Sequence, residues 1–212
     1  MSPLQLKITP MSPVFGAEVS GVDLADGVDD ATFDLLYEAW LDYGVLAFQG
    51  QSLLSADSQV AFARRLGPLH AHPAAPAEHE NDAVFVIRTH RDSLISNGNG
   101  WHSDVSCDEE PPSATMLQVH LLPDCGGGDT LFADMEAAYA TMPAANRQQL
   151  WALSAVHASD HVYPDRYADR GADETSVDTP SAVHPVVRTH PETGRRSLFV
   201  NPSFTVAIEG MS

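Results

Sequence analysis

The sequence predicts a mainly β fold carrying helices, an α+β chain built as a β-sandwich or jelly roll. Three observations point there. Strand-like stretches dominate from residue 83 onward, at 83–88, 113–121, 130–133, 183–189 and 197–201. Long excursions separate them, and helical periodicity is confined to the beginning and the middle of the chain. The regular strand–helix alternation of a parallel α/β fold is missing, and no Gly-x-Gly-x-x-Gly follows a strand. With 212 residues, the chain reads as one domain over 1–212 with room for a sizeable core.

The elements follow in order. Residues 14–19 read as a strand, and Gly21 to Gly27 as a turn-rich loop. Asp29 or Asp30 can cap a helix running to about Tyr43; Phe33, Leu36, Tyr37, Trp40 and Leu41 share one face and Gly44 supplies the stop. Residues 45–48 form a short buried strand. Ser55 opens a second helix with Val60, Ala63 and Leu66 inward, ended by Gly67-Pro68. A third helical stretch spans about Ala144 to Ala155. Residues 165–182 carry little periodicity and read as a mobile surface loop. His190 to Arg195 reads as a hairpin turn.

Composition narrows the partners. Eleven basic residues face 29 acidic ones, a net charge of −18, and Lys7 is the only lysine. Nucleic acid and anionic membranes both need a basic surface, so neither is expected as a partner. The N-terminus has no signal-peptide core and no run approaches a membrane span, so the expected location is cytoplasmic. Two cysteines, Cys107 and Cys125, make no disulfide framework. Cys107 is expected to be a small, half-buried residue near the site.

The chemistry concentrates in Trp101-His102-Ser103-Asp104, followed by Pro111-Pro112 and Gly126-Gly127-Gly128-Asp129-Thr130. A histidine and an aspartate two apart on a strand or its exit loop can face one side. One imidazole and one carboxylate make two thirds of the 2-His-1-carboxylate triad that binds non-heme Fe(II) with positions left open. Trp101 is expected to pack into the core.

These blocks, in order, resemble the TauD/TfdA family of Fe(II)- and 2-oxoglutarate-dependent dioxygenases. The resemblance takes in Phe15 to Leu24, Leu66 to Pro73, Trp101 to Ser106, Pro111-Pro112, Gly127 to Thr130, Ala138-Tyr139, His184 to Pro191 and Leu198 to Asn201. It implies a double-stranded β-helix of the jelly-roll or cupin kind, decorated by helices, with His102 and Asp104 as metal ligands and catalytic residues. It also implies Thr130 as the hydroxyl that bonds the distal carboxylate of 2-oxoglutarate, the co-substrate used with O₂. His72 matches a histidine that contacts a substrate sulfonate, and Val105, Tyr163 and Phe204 fall near pocket-lining positions. The implied reaction hydroxylates a small organic molecule, a sulfonate or carboxylate among the candidates, with succinate and CO₂ as co-products.

The match has gaps. The family takes its distal histidine, and then the arginine that grips 2-oxoglutarate, from beyond the region of Ile208-Glu209-Gly210, and this sequence ends at Ser212. His157, His161, His184 and His190 do not match the distal ligand and read as structural. The expectation is a scaffold lacking its final strands, with an unpaired sheet edge, weak iron binding and little turnover by these residues alone. Completion by another chain, and a relic acting as a pseudoenzyme or binding domain, are the alternatives. Ala75 and Gly98 stand where a taurine site would have tyrosine and asparagine, which weakens a taurine assignment. The sequence does not fix the oligomeric state; apolar helix faces and family habit are compatible with a homo-oligomer.

Overall fold

A computed structural model describes residues 5–72, 83–90, 98–124, 126–163 and 179–211. The chain divides into two compact units, one made of residues 1–68 and 116–134, the other of 69–115 and 135–212.

In the first unit, β1 (Lys7–Pro10) pairs antiparallel with β2 (Ala17–Ser20), and β2 pairs parallel with β3 (Leu46–Phe48). A parallel pair needs a crossover, and α1 (Asp30–Tyr43) supplies it. Asp29 caps α1 by accepting from the Thr32 N–H at 2.8 Å, and Phe33, Leu36 and Ala39 form its buried stripe. Gly44 ends it at φ 72°, where a Cβ would sit 2.9 Å from the Phe15 ring. Ser55 caps α2 (Ala56–Ala63) in the same manner as Asp29, through the Ser58 N–H. Both caps match the sequence, because a cap is a local hydrogen bond. The helix stops at Ala63, earlier than Gly67-Pro68. Val19, Leu24, Leu36 and Leu54 make the core.

The described residues of the second unit form α3 (Met135–Ala140), α4 (Ala144–Trp151) and five strands. These are β4 (Ser154–Ala158), β5 (Ser181–Pro185), β6 (Val187–Thr189), β7 (Arg196–Leu198) and β8 (Thr205–Ile208). β4 lies between β5 and β8, antiparallel to both, with a bulge at Val156/His157; β6 and β7 form a separate hairpin. The helix expected to reach Ala155 ends at Trp151, since Ala155 and His157 alternate inward on β4. The expected loop 165–182 overruns into β5, and its residues 165–178 lie outside the described ones. The expected strand 183–189 is broken at Val186, buried with Tyr139, Ala155 and Val187 in one core cluster.

Three expected strands are not formed. Residues 84–88, 113–121 and 130–133 have no ladder partner among the described residues. From Ser113 to Val119 exposure alternates with period two, as in a strand, but hydrophobic alternation cannot by itself supply the partner backbone a ladder requires.

Candidate active site around His102 and Asp104

Residues 98–108 belong to the second unit and run as loop and turn, so of the strand or exit loop expected for the two donors the structure gives the loop. His102 Nδ1 donates to the Gly100 carbonyl at 2.7 Å. That bond places the ring proton on Nδ1 and leaves Nε2 to face Asp104 Oδ1, 3.1 Å away. The other carboxylate oxygen, Oδ2, accepts from the Thr115 hydroxyl at 2.6 Å. A second ring proton, on His102 Nε2 and shared with Oδ1, is the main cause that holds the Asp104 carboxyl below its ordinary range; burial opposes it, and the Thr115 bond and the nearby His102 and His72 charges add to it.

The donor chemistry fits a divalent cation. A neutral imidazole lone pair and a carboxylate oxygen converge, and each ligand has its second polar atom tied to an outer partner. Two lone pairs at that separation are stabilised only by a proton or a cation between them. Among the described residues no group of three His, Cys, Asp or Glu side chains is placed to hold a metal, so the pair fills two positions and no more.

Beside this pair lies an aromatic wall. His72 stacks on Phe85, with ring centroids 5.2 Å apart and planes 6° from parallel, and also meets Tyr163 at 5.2 Å. Tyr163 meets Phe204 edge-on at 6.1 Å. Val105, Cys107, Tyr163 and Phe204 are buried together, with Phe85 and Val162 packed against them. The structure therefore gathers His72, Val105 and Phe204 in the unit that carries His102 and Asp104. Thr130 lies in the first unit, on an exposed segment with no regular strand.

Two expectations about neighbouring residues change. Trp101 is 52% exposed and does not pack into the core. Its role passes to Val105 and Cys107, because the turn after Asp104 points inward. Cys107 is fully buried, not half-buried; its thiol lies 3.7 Å from the Tyr163 hydroxyl, and burial pushes it up from its ordinary pKa. Cys125 lies outside the described residues.

A polar network under the turn has no counterpart in the sequence reading. Ser106 Oγ contacts His157 Nδ1 and Asn201 Nδ2, both at 3.0 Å. Asp108 accepts from His70 Nε2 through its carboxylate at 2.6 Å and from His184 Nε2 through its carbonyl at 2.8 Å. His157 and His184 face inward on the paired strands β4 and β5, with ring centroids 5.4 Å apart. The sequence carried a signal for this: Ser-Ala-Val-His occurs at 154–157 and again at 181–184. Each copy alternates so that alanine and histidine share the buried face. Both histidines are tied into this network, His157 to Ser106 and His184 to the Asp108 carbonyl.

Known proteins share the sequence and the fold of this chain. The taurine catabolism dioxygenase TauD, TfdA family matches residues 7–212. An alkylsulfatase from Acinetobacter baylyi is 32% identical over 94% of this chain and 64% of its own length. A (S)-phenoxypropionate/alpha-ketoglutarate-dioxygenase from Sphingobium herbicidovorans is 35% identical over 94% of this chain and 71% of its own. An alpha-ketoglutarate-dependent sulfate ester dioxygenase from Pseudomonas putida is 33% identical over 99% of this chain and 70% of its own. The chain thus spans roughly two thirds of the length of these curated relatives. A taurine dioxygenase from Burkholderia xenovorans superposes with a TM-score of 0.75 at 28% identity, covering 98% of this chain and 68% of that one. A second Burkholderia xenovorans structure reaches a TM-score of 0.79 at 31% identity, covering 98% and 70%. The superposition identifies the β-rich architecture as the jelly roll of these enzymes, carrying a few helices. By sequence and by fold, the chain belongs to the TauD/TfdA family of 2-oxoglutarate-dependent non-heme iron dioxygenases.

Proposed function

We propose that this chain serves an Fe(II)- and 2-oxoglutarate-dependent dioxygenase that hydroxylates a small organic anion. In the balanced reaction, substrate C–H, O₂ and 2-oxoglutarate give substrate C–OH, succinate and CO₂. The observation that carries the reading is the convergence of His102 Nε2 on Asp104 Oδ1 at 3.1 Å, with the imidazole proton already committed to Gly100. His102 and Asp104 would hold the iron, which when bound supplies the oxygen chemistry. Gly100 and Thr115 keep the two ligands aimed and deprotonated toward it. Thr130 is assigned to the distal carboxylate of 2-oxoglutarate, as the family match implies. We place 1–212 in a single catalytic domain of the cytoplasm, without nucleic acid or membrane as partner; the net charge of −18 supports the latter.

The substrate side is assigned to His72, Val105 and Phe204. An aromatic cluster of Phe85, Tyr163 and Phe204 with one imidazole stacked on Phe85 suits a molecule with an apolar body and an anionic end. Relatives named for sulfate esters, phenoxypropionate and sulfonates share that outline.

The test is metal uptake and co-substrate turnover by the protein and by His102→Ala and Asp104→Ala. Each variant is expected to lose binding of Fe(II) or Co(II) by about 100-fold or more. Succinate release should then be scanned over an alkyl sulfate, an aryloxypropionate and an alkyl sulfonate. Wild-type metal uptake by both variants would put the metal centre elsewhere.

A further inference from the structure

We infer that Ser106 is a positioning residue for the His102–Asp104 pair: its buried hydroxyl, clamped between Asn201 and His157, fixes the turn that aims the two donors. The inference rests on the metal-holding role proposed above.

The clamp has a defined direction. Asn201 Oδ1 accepts from the backbone N–H groups of Ser203 and Phe204, at 3.2 and 2.9 Å. That fixes the amide's orientation and leaves Nδ2 as the donor to Ser106 Oγ. The Ser106 hydroxyl proton is then free to go to His157 Nδ1. His157 Nε2 accordingly keeps its proton and faces Thr205 Oγ1 at 3.4 Å. Ser106 and His157 are both 0% exposed, so neither side chain can turn to solvent for a replacement partner.

The clamp acts two residues from Asp104, across a strained joint. Val105, between them, sits at φ 44°, in the left-handed region that β-branched residues avoid. Such a conformation persists only where the surroundings over-determine it. Here the Asp108 N–H closes the turn on the Val105 carbonyl at 3.0 Å, and His70 and His184 tie down Asp108. Ser106 is the point at which the turn is bonded to the loop before β8 and to β4 at once. If that bond is lost, Val105 can relax toward negative φ, which swings the Asp104 carboxylate away from His102.

The experiment compares Ser106→Ala, Asn201→Ala and Val187→Ala in a Cys125→Ser background. Val187 is buried in the other cluster of the same unit, so its truncation destabilises without touching the clamp. Ser106→Ala is expected to weaken Co(II) binding about tenfold or more and to shift the visible Co(II) bands. Asn201→Ala should do the same and decides the matter if Ser106→Ala does not fold. Val187→Ala should lower the melting temperature while leaving the Co(II) bands unchanged. A second readout needs no metal: alkylation of the buried Cys107 should become faster by about tenfold, independent of low urea, as local opening is. Wild-type Co(II) binding in both clamp variants, or a loss that merely tracks melting temperature as in Val187→Ala, overturns the inference. Should the wild type take up no more Co(II) than a His102→Ala/Asp104→Ala variant, the metal reading fails by itself. Cys107 labelling then decides the clamp: acceleration upholds it and unchanged labelling overturns it.

Discussion

The turn after Asp104 and the described residues from Leu117 to Phe132 both lack strands, yet they are ordered by opposite means. In the turn, Val105, Ser106 and Cys107 are buried, and directional bonds from His157, Asn201, His184 and His70 reach Ser106 and Asp108. In the other segment, Leu117, Val119, Leu121, Leu122, Leu131 and Phe132 are each more than half exposed. Its anchor is the Gln118 side chain, which accepts from the Leu54 N–H at 2.7 Å and donates to the Leu54 carbonyl at 3.1 Å. Irregular backbone is thus held in place where its polar atoms find buried partners, not where its side chains are most apolar.

The largest effect should come from removing the floor of the turn. Phe204 is 5% exposed and packs with Val105, Cys107 and Tyr163. Phe204→Ala should cost about 4 kcal/mol in urea unfolding, within the usual range for a buried aromatic. A loss under about 1 kcal/mol would mean that the cluster collapses around the gap and that the polar bonds hold the turn unaided.

His157 gives the next effect, with a pH signature. Burial first, and then the neighbouring His184, push its imidazole below the ordinary range, partly offset by the Phe199 backbone carbonyl. The unfolded chain therefore takes up this proton at a higher pH than the folded one. The stabilising contribution is whole above about pH 6.5, the unfolded value, and is lost progressively as the pH falls below it. Asp104 adds a loss of the same sign, but only as the pH falls through the carboxylate range. His157→Gln should cost about 2 kcal/mol at pH 8 and flatten the decline between pH 6.5 and 5. Urea midpoints at several pH values measure both, and an unchanged slope in the variant assigns the acid sensitivity to another group.

The same contrast explains what could be read in the sequence. Asp29, Gly44 and Ser55 announced α1 and α2 because caps and stops are bonds within a few residues. His102-x-Asp104 was legible as a donor pair for the same reason, although the structure delivers it from a turn. The strand over 113–121 was wrongly expected because a ladder depends on a distant partner that periodicity does not encode. Ser106 and Asn201 were legible only as members of matching blocks, and the joint role of Ser106, Asn201 and Asp108 was not, since it lies in contacts spanning 51, 95 and 76 positions. Only the repeated Ser-Ala-Val-His hinted that two strands present histidines to one interior.

A smaller effect probes the first unit where it is well built. Gly44→Ala puts a Cβ on a residue at φ 72°, 2.9 Å from the Phe15 ring. The cost should be about 1–2 kcal/mol, read as a lowered melting temperature. Gly27, also at positive φ but with open space around it, should cost less when changed to alanine, since only the backbone term remains. Equal costs at the two positions would show that the close approach to Phe15 relaxes freely.

The smallest effect on stability should come from the exposed segment. Leu121 is 90% exposed and Leu131 is 71% exposed, so neither side chain has much burial to lose. Leu121→Ser with Leu131→Ser should shift unfolding by no more than about 0.5 kcal/mol, as at other uncovered surface positions. Self-association is where the pair should matter, because exposed apolar side chains on backbone outside any ladder invite contact with another chain. Light scattering at rising protein concentration should show less association in the double variant, with its melting temperature unchanged. A melting temperature that falls by several degrees would instead mean that these leucines are covered in solution, and the contrast between the two segments would dissolve.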